Sequence, residues 1–228
     1  MTKSAATLIG APGAGKGTVS KWLLSNHPWG HLGSGDRFRS LIANSQDRGL
    51  VDYLSRFVPC GRLVPDPLVL NFAGDWLAEP DYSEGVILDG LPRTGYQCQV
   101  LYSDILPACG FETGPIIHID CTRDELQERV RFRKICTECG AIWNDLTNKS
   151  EFPDTCDFCR GSLAPRPDDA PDILEKRLDL HFRHLPEVLE VLGDRVTTIR
   201  YPNTMSVKEL FQEVSFALAG LSSLPMVA

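Results

Sequence analysis

Short, continuous apolar runs alternate along the chain with longer stretches in which apolar residues recur at helical spacing. The runs at 5–9, 86–88 and 116–119 are typical of buried strands, and 196–200 is rich in residues that favour β-structure. Helical spacing is found at 16–25, 47–57, 66–77, 96–106, 123–134, 171–192 and 207–218. This alternation predicts an α/β fold, a three-layer sandwich with a central parallel sheet.

Two segments depart from the simple alternation. A brief strand within residues 31–39 leads into a helix that Asp36 is expected to cap. Residues 136–166 are rich in turn-forming types, and so long an irregular excursion is more often functional than idle. The sequence therefore predicts one core that carries excursions.

The segment from Gly10 to Thr18 has the composition of a phosphate-binding loop. Its glycines allow a tight turn that aims several backbone N–H groups into one concavity, at the positive end of the following helix. Lys16 is positioned to reach terminal phosphates, and the Thr18 hydroxyl follows. Gly17 stands where the strict Walker pattern has Ser or Thr. The alternative is a Gly-rich turn that merely links strand and helix. Such a turn would not by itself account for the glycines, a lysine and a hydroxyl residue at matching spacing, so we predict a polyphosphate site.

Asp89 directly follows the apolar strand at 86–88. A carboxylate at the carboxyl end of a strand lies where open α/β sheets bind their ligands. In a chain with a phosphate-binding loop, it resembles a Walker B carboxylate that orients magnesium, directly or through water. The alternative is an ordinary turn or helix-capping aspartate.

Four of the eight cysteines are scattered and four form two close pairs. Cys136 and Cys139 make one C-x2-C pair, Cys156 and Cys159 make the other, and 16 residues separate the pairs. This spacing is typical of a zinc ribbon, in which four thiolates leave no open coordination position, so the metal is expected to be structural. Two disulfides are the alternative.

The formal net charge of −7 argues against a general nucleic-acid-binding protein, which usually carries a basic face. No apolar run approaches the roughly 20 residues of a membrane span, so no membrane association and a cytoplasmic location are expected. The histidines form no ligand pattern and are interpreted as structural or surface residues: His27, His31, His118, His181 and His184.

Several arginines fall near element boundaries, close to the Asp89 strand end or to the cysteine pairs. They are Arg39, Arg93, Arg129, Arg133, Arg166 and Arg177. For any one of them a salt-bridged surface position is the ordinary interpretation, but polyphosphates require such charges. Arg129 and Arg133 are four residues apart and are expected to share one face of the helix at 123–134.

These motifs together resemble the adenylate kinase family, in the form with a long zinc-bearing lid. The loop at 10–18 is similar to that family's GxPGxGKGT, and residues 89–93 with Gln97 to its DGFPR-x3-Q. Ser34-Gly35-Asp36 with Arg39, the later arginines and the four cysteines follow in the family's order, so the resemblance covers nearly the whole chain. The departures are Leu91 for the usual Phe, Gly33-Ser34 for a pair of hydroxyl residues, and Trp143-Asn144 for an aromatic residue followed by histidine.

The resemblance implies reversible transfer of a phosphoryl group from MgATP to AMP, giving two ADP. It implies an ATP site of Gly13, Ala14, Gly15, Lys16, Gly17, Thr18, Arg129 and Arg133, and an AMP site of Ser34, Arg39, Val64, Gly90, Arg93, Gln97, Arg166 and Arg177. Lys16, Arg93, Arg129, Arg133, Arg166 and Arg177 would be the catalytic residues. Gln97 is the expected reader of adenine, because an amide offers both a donor and an acceptor.

The resemblance also implies the organisation of the chain and its partners. Residues 1–35, 78–134 and 168–228 would form the core domain, 36–77 a helical AMP-binding insertion, and 135–167 a zinc-binding lid that closes over ATP. The expected ligands are ATP, AMP and ADP, Mg²⁺ and a structural Zn²⁺, in a monomer without nucleic acid. Two alternatives stay open: a kinase of another nucleoside monophosphate, and a non-catalytic, nucleotide-switched binding protein.

Overall fold

The computed structural model describes residues 3–82 and 84–219, which contain a five-stranded and a three-stranded sheet. The strands are β1 (Lys3–Ile9), β2 (Gly30–Gly33), β3 (Gly85–Asp89), β4 (Phe111–Asp120), β5 (Arg133–Cys136), β6 (Ile142–Asn144), β7 (Leu163–Pro165) and β8 (Val196–Arg200). The larger sheet has the order β2-β3-β1-β4-β8, and all its neighbouring strands are parallel. Leu8 pairs with Asp89, so the carboxyl ends of β1 and β3 lie side by side. The predicted parallel sheet is confirmed.

Helices follow most of the parallel strands. They are α1 (Lys16–Asn26), α2 (Ser34–Asn44), α3 (Arg48–Leu54), α4 (Asp66–Leu77), α5 (Gly95–Val100), α6 (Leu106–Ala108), α7 (Arg123–Arg131), α8 (Pro171–Leu192) and α9 (Val207–Ala219). A π-helical turn (Leu101–Ile105) joins α5 to α6. The helices predicted at 66–77 and 171–192 agree with α4 and α8 residue for residue. No helix within 3–82 and 84–219 has the length and apolar character needed to cross a bilayer.

The two faces of the large sheet bury different hydrophobic clusters. On β3, Ile87 packs into a cluster with residues of α1, α8 and α9, whereas Val86 and Leu88 pack with residues of α2 and α4 on the opposite face. This division follows from the strand period of two, which sends successive side chains to opposite faces. The fold is therefore the predicted three-layer α/β sandwich, and its layers hold the carboxyl ends of β1 and β3 in fixed positions.

The start of α2 differs from the expectation. The helix begins at Ser34 and its N-cap is Gly33, so Asp36 lies inside the first turn instead of capping it, and there it pairs with Arg39. A carboxylate in the first turn still interacts favourably with the positive helix end.

The expected helix at 123–134 is too long by three residues. Helix α7 ends at Arg131, and Arg133–Cys136 forms strand β5, which pairs antiparallel with β6 and β7 in the order β6-β5-β7. Pairing with two strands satisfies the backbone of β5 on both sides, and this outweighs the helical spacing of its side chains. The segment at 136–166, which was expected to be irregular, contains β6 and β7.

Candidate active site

The loop after β1 forms a concavity at the start of α1. Gly13 and Gly15 have φ values of 89° and 98°, in the left-handed region that favours glycine. A Cβ atom on Gly13 would lie 2.7 Å from Cγ2 of Val130. In the described part of the chain, α1 has no side-chain cap and no acidic residue in its first turn. Its first N–H groups and the positive helix end are therefore available to an anion.

Lys16 is held inside this loop by backbone oxygens. Its Nζ donates to the carbonyl oxygens of Gly10 (2.9 Å) and Ala11 (3.1 Å) and lies 4.0 Å from Oδ1 of Asp89. Burial lowers the pKa of Lys16 to about 8, although the Asp89 carboxylate acts in the opposite direction. Lys16 is therefore mostly protonated at neutral pH, and close to the loop that would hold a polyphosphate.

Asp89 lies between two cationic or potentially cationic groups. Burial by itself would raise its pKa, but the contacts with His31 and Lys16 outweigh burial, so the pKa of Asp89 lies below its ordinary value. His31 Nε2 is 3.7 Å from Oδ2 of Asp89 and is buried without a hydrogen-bond partner among the described residues. The interpretation of His31 as merely structural missed this contact.

The sequence contained one signal for the position of His31. Gly33 replaces a hydroxyl residue expected from the family pattern, and a Cβ atom there would lie 3.0 Å from both Cε1 of His31 and Oδ2 of Asp36. The missing side chain leaves room for the imidazole beside Asp89. The glycine at position 33 and the position of the His31 ring beside Asp89 therefore have the same steric cause.

Two cavities meet at a group of arginines. The larger, of about 880 Å³, contains the loop and Asp89; the smaller, of about 50 Å³, is lined by Val64 and Gln97. Arg39, Arg93 and Arg177 line both. The structure brings nearly all the predicted site residues to these cavities: Gly13, Gly15, Lys16, Gly17, Thr18, Arg129, Arg133 and Arg166 to the larger, Ser34 to the smaller, and Gly90 to both. Ala14 is the exception, since its side chain is buried in the core.

Asp168 and Asp169 pair with the arginines around the larger cavity. Arg166 Nε lies 2.7 Å from Oδ1 of Asp168, and Arg133 binds both carboxylate oxygens of Asp169. Arg177 Nη1 reaches both aspartates, at 3.2 and 3.3 Å. Burial lowers the pKa of Arg177 to about 10 despite the Asp168 carboxylate, so the guanidinium stays charged at neutral pH. The sequence alone indicates no role for these two aspartates.

Arg129 and Arg133 reach the larger cavity from different elements. Arg129 lies on α7, whereas Arg133 begins β5, so the expectation of a shared helix face is wrong. Arg129 is 4% exposed; it donates to the carbonyl oxygen of Tyr201 (2.9 Å) and to Asn203 (2.7 Å), and lies 3.9 Å from the centre of the Tyr201 ring. Arg129 is thus a rigid wall of the cavity.

The β3–α5 loop shapes the wall between the cavities. Gly90 has a φ of 78°, and a Cβ atom there would lie 2.9 Å from both Ser34 Oγ and Arg93 Nη2. Its carbonyl oxygen accepts from Ser34 Oγ and Arg93 Nε, each at 2.7 Å. The Arg93 backbone N–H donates to Oε1 of Gln97 (2.8 Å). The loop therefore orients a guanidinium and an amide toward one cavity.

The four paired cysteines converge at the end of the three-stranded sheet, where only Cys136 belongs to a strand, β5. Their sulfur atoms all lie within 4.8 Å of one another, with 3.3 Å between Cys136 and Cys159 and 3.6 Å between Cys139 and Cys156. All four are free thiols in an arrangement that could hold one metal ion, which disfavours the disulfide alternative. Asn144 of β6 donates to the carbonyl oxygen of Arg129 (2.7 Å) and so ties the sheet to α7.

His181 occupies a separate position behind the loop. It lines a third cavity, of about 90 Å³, together with Lys16, Arg93 and Arg177. Burial, with the charge of Lys16 nearby, lowers the pKa of His181 to about 3. The imidazole is therefore neutral at physiological pH, which suits its position beside three cations.

Known proteins resemble this chain over most of its length. A sequence model of the family described as "Adenylate kinase" matches residues 8–195. An adenylate kinase of Listeria monocytogenes serotype 4b (strain CLIP80459) is 32% identical over 212 residues, which cover 93% of this chain and 97% of the relative. One from Clostridium kluyveri (strain ATCC 8527) is 31% identical over 216 residues, 94% of this chain and 97% of the relative. One from Lactobacillus johnsonii is 37% identical over 175 residues, 76% of this chain and 79% of the relative.

Proposed function

The chain belongs to the adenylate kinase family, and from that premise we propose how its two cavities carry out the transfer of a phosphoryl group from ATP to AMP. The protein is a phosphotransferase with ATP and AMP as substrates. The observation that supports the residue assignments is the meeting of the two cavities at Arg39, Arg93 and Arg177. One nucleotide in each cavity would bring both sets of phosphates to this point.

We propose that the larger cavity holds ATP. The backbone of residues 13–18 and the N-terminus of α1 would bind its β- and γ-phosphates, with Lys16 on the phosphate oxygens. Arg133 would add a second cation from β5. All three nitrogens of the Arg129 guanidinium already donate to the protein, to Asn203, the Tyr201 carbonyl oxygen and Cys121 Sγ. We therefore propose that Arg129 contacts ATP mainly through the face of this group.

We propose that AMP binds at the smaller cavity, which has a volume of about 50 Å³ in this closed arrangement and would have to widen to admit a nucleotide. Arg39 and Arg93 would bind its single phosphate. Ser34, Val64, Gly90 and Gln97 line the same cavity and would surround its base. Arg166 and Arg177, near the junction of the cavities, would neutralise the group in transfer. The AMP phosphate is already an anionic nucleophile, so the reaction requires positioning and charge neutralisation and needs no protein base.

The pairing of Asp168 and Asp169 with the arginines gives the reaction a further requirement. Arg133, Arg166 and Arg177 already hold carboxylate oxygens, so each would have to share its N–H donors with a phosphate or exchange a carboxylate oxygen for a phosphate oxygen. The planar, five-donor guanidinium suits such an exchange, because it can bind both partners at once. We propose that the aspartates hold the arginines in position until nucleotide binds.

Two metal ions complete the proposal. Mg²⁺ accompanies ATP, and the Asp89 carboxylate and Thr18 hydroxyl supply the oxygen ligands that it prefers, directly or through water. It would neutralise charge on the β- and γ-phosphates. The four thiolates of Cys136, Cys139, Cys156 and Cys159 fit tetrahedral Zn²⁺, which would rigidify the ribbon.

We propose the same organisation of the chain that the sequence indicates. The core, residues 1–35, 78–134 and 168–228, would carry the insertion at 36–77 over AMP and the lid at 135–167 over ATP, and closure would exclude water that could otherwise hydrolyse ATP. Eight unpaired thiols suit a reducing cytoplasm. A monomer that serves nucleotide homeostasis and binds no nucleic acid completes the proposal.

The test is a panel of AMP, CMP, UMP and GMP with ATP and Mg²⁺, measured by diphosphate formation. We expect AMP to give the highest kcat/KM. A higher kcat/KM with another monophosphate would overturn the assignment of the base site. No monophosphate-dependent turnover, together with salt-dependent RNA binding, would favour the non-catalytic alternative.

A further inference from the structure

Asp66 connects the helical insertion to the core behind the smaller cavity. It opens α4, yet its carboxylate binds two core residues: Oδ2 accepts from Thr94 Oγ1 (2.9 Å), and Oδ1 accepts from Gln97 Nε2 (2.8 Å). Thr94 also accepts from the backbone N–H of Gln97 (3.1 Å). Gln97 is therefore held at both its backbone and its side chain.

The orientation of the Gln97 amide follows from the chemistry of its two partners. The Arg93 backbone N–H can only donate, so the amide atom that faces it is the oxygen. An ionised Asp66 can only accept, so the amide atom that faces it is the nitrogen. Gln97 is 1% exposed, and water has little access to replace either partner. If the amide were rotated by 180°, its NH₂ group would face the N–H donor of Arg93, and its oxygen would face the carboxylate acceptor of Asp66.

We propose that Asp66 is a positioning residue for substrate specificity: by fixing the Gln97 amide, it makes the monophosphate site favour adenine over 6-oxopurines. This inference rests on the proposed position of AMP. After binding Arg93 and Asp66, the amide keeps one N–H donor and one oxygen lone pair. Adenine presents the complementary pair, with an acceptor at N1 and a donor at its 6-amino group. Hypoxanthine and guanine present the reverse, with a donor at N1 and an acceptor at O6.

Asp66 acts through Gln97 and not on the nucleotide. Gln97 lines the smaller cavity, whereas neither Asp66 nor Thr94 is among the described residues that line any of the three cavities. In an Asp66→Asn variant, the new amide can offer either its oxygen or its nitrogen to Gln97. The rotated Gln97 then conflicts only with Arg93, so a 6-oxopurine becomes easier to accommodate.

The experiment compares kcat/KM for AMP and IMP at saturating ATP in the wild type, Asp66→Asn and Asp75→Asn. Asp75 is an exposed aspartate of the same helix and serves as the matched control. Since 1.4 kcal/mol corresponds to tenfold and one hydrogen bond contributes on that scale, we expect Asp66→Asn to lower the AMP-to-IMP ratio about tenfold. KM for ATP and the ratio for Asp75→Asn should stay at wild-type values.

An equal loss with both monophosphates would assign Asp66 a merely structural role and overturn the proposal, as would an unchanged ratio in folded protein. Asp66→Glu keeps the charge in the first turn of α4 but moves the carboxylate, so it should lower the ratio too, even if the asparagine variant fails to fold. The Gln97→Leu variant distinguishes an error in the proposed base site from an error in the proposed role of Asp66. If it leaves the ratio unchanged, the proposed base site is wrong; if it lowers the ratio while folded Asp66 variants do not, only the role of Asp66 is wrong.

Discussion

Removing Arg133 should affect both stability and catalysis, and the structure allows the two effects to be separated. Arg133 binds both oxygens of Asp169, and the two side chains are only 12% and 6% exposed. In Arg133→Ala, Asp169 keeps Arg177 at 3.3 Å as its remaining cation. The variant thus leaves a buried carboxylate half-paired, and it also removes a cation from the proposed ATP site.

The size of the stability effect follows from this geometry. Removing one partner of a buried ion pair costs about 3–5 kcal/mol when the other is left alone. Because Arg177 remains, we expect about 2–3 kcal/mol, which lowers Tm by about 5–10 °C for a chain of this length. The double variant Arg133→Ala/Asp169→Ala removes the unpaired charge as well and should recover most of this stability. Turnover should not recover, and kcat should stay lower by a factor of about 10³ or more.

The assay combines denaturant unfolding with coupled measurement of ADP formation. Arg131→Ala, two positions earlier and exposed, is the control; it should change stability by no more than about 0.5 kcal/mol and leave turnover intact. Recovery of kcat in the double variant would refute a direct action of Arg133 on the nucleotide. A single variant as stable as the wild type would refute the argument from the Asp169 pair.

Four further outcomes are expected. Arg93→Ala should lose most of kcat while staying folded, and near-normal turnover in ADP assays would contradict its assigned role. kcat/KM for ATP should fall as pH rises through about 8, because only protonated Lys16 pairs with phosphate; a flat profile from pH 7 to 9.5 would contradict this. His181 has a folded-state pKa of about 3, below its unfolded value of 6.5, so its contribution to stability is complete above pH 6.5 and is lost progressively as the pH falls toward 3. Denaturant unfolding of His181→Gln should therefore show a free energy of unfolding that depends less on pH between 6.5 and 3. An unchanged pH dependence would argue against a buried neutral imidazole. Replacing Cys136 and Cys139 by Ser should release zinc, measured by metal analysis, and lower Tm while activity remains measurable, and complete loss of activity in a folded variant would contradict a purely structural metal.

The sequence predicted the sheet and the loop well because their signals are local. The apolar run at 86–88 followed by Asp89 indicates a buried strand with a carboxylate at its end, and the structure confirms that strand as β3. The glycines before Lys16 indicate a turn that only such residues allow, and Gly13 and Gly15 do have positive φ values. Each of these conclusions needed fewer than ten consecutive residues.

Features that depend on distant pairing could not be predicted in the same way. Arg133 continues the helical pattern of α7, but its backbone pairs with β6, which follows it in sequence. Asp168 and Asp169 stand beside Arg166 in the sequence, yet nothing local indicates that Arg133 and Arg39 also bind them. His31 faces Asp89 because β2 and β3 are neighbours in the sheet, which spacing along the chain does not reveal.

The pairs that Asp168 and Asp169 make have a consequence for the effect of ionic strength. An open cluster of arginines collects anions from solution and releases them when a charged ligand binds, and that release makes affinity fall steeply with added salt. In this protein the neutralising anions are the tethered carboxylates of Asp168 and Asp169. These would stay in the molecule if a nucleotide binds the guanidinium groups as proposed. Few mobile ions would then be released on binding, so we expect the affinity for nucleotide to depend less on salt concentration than the number of arginines around the cavity suggests.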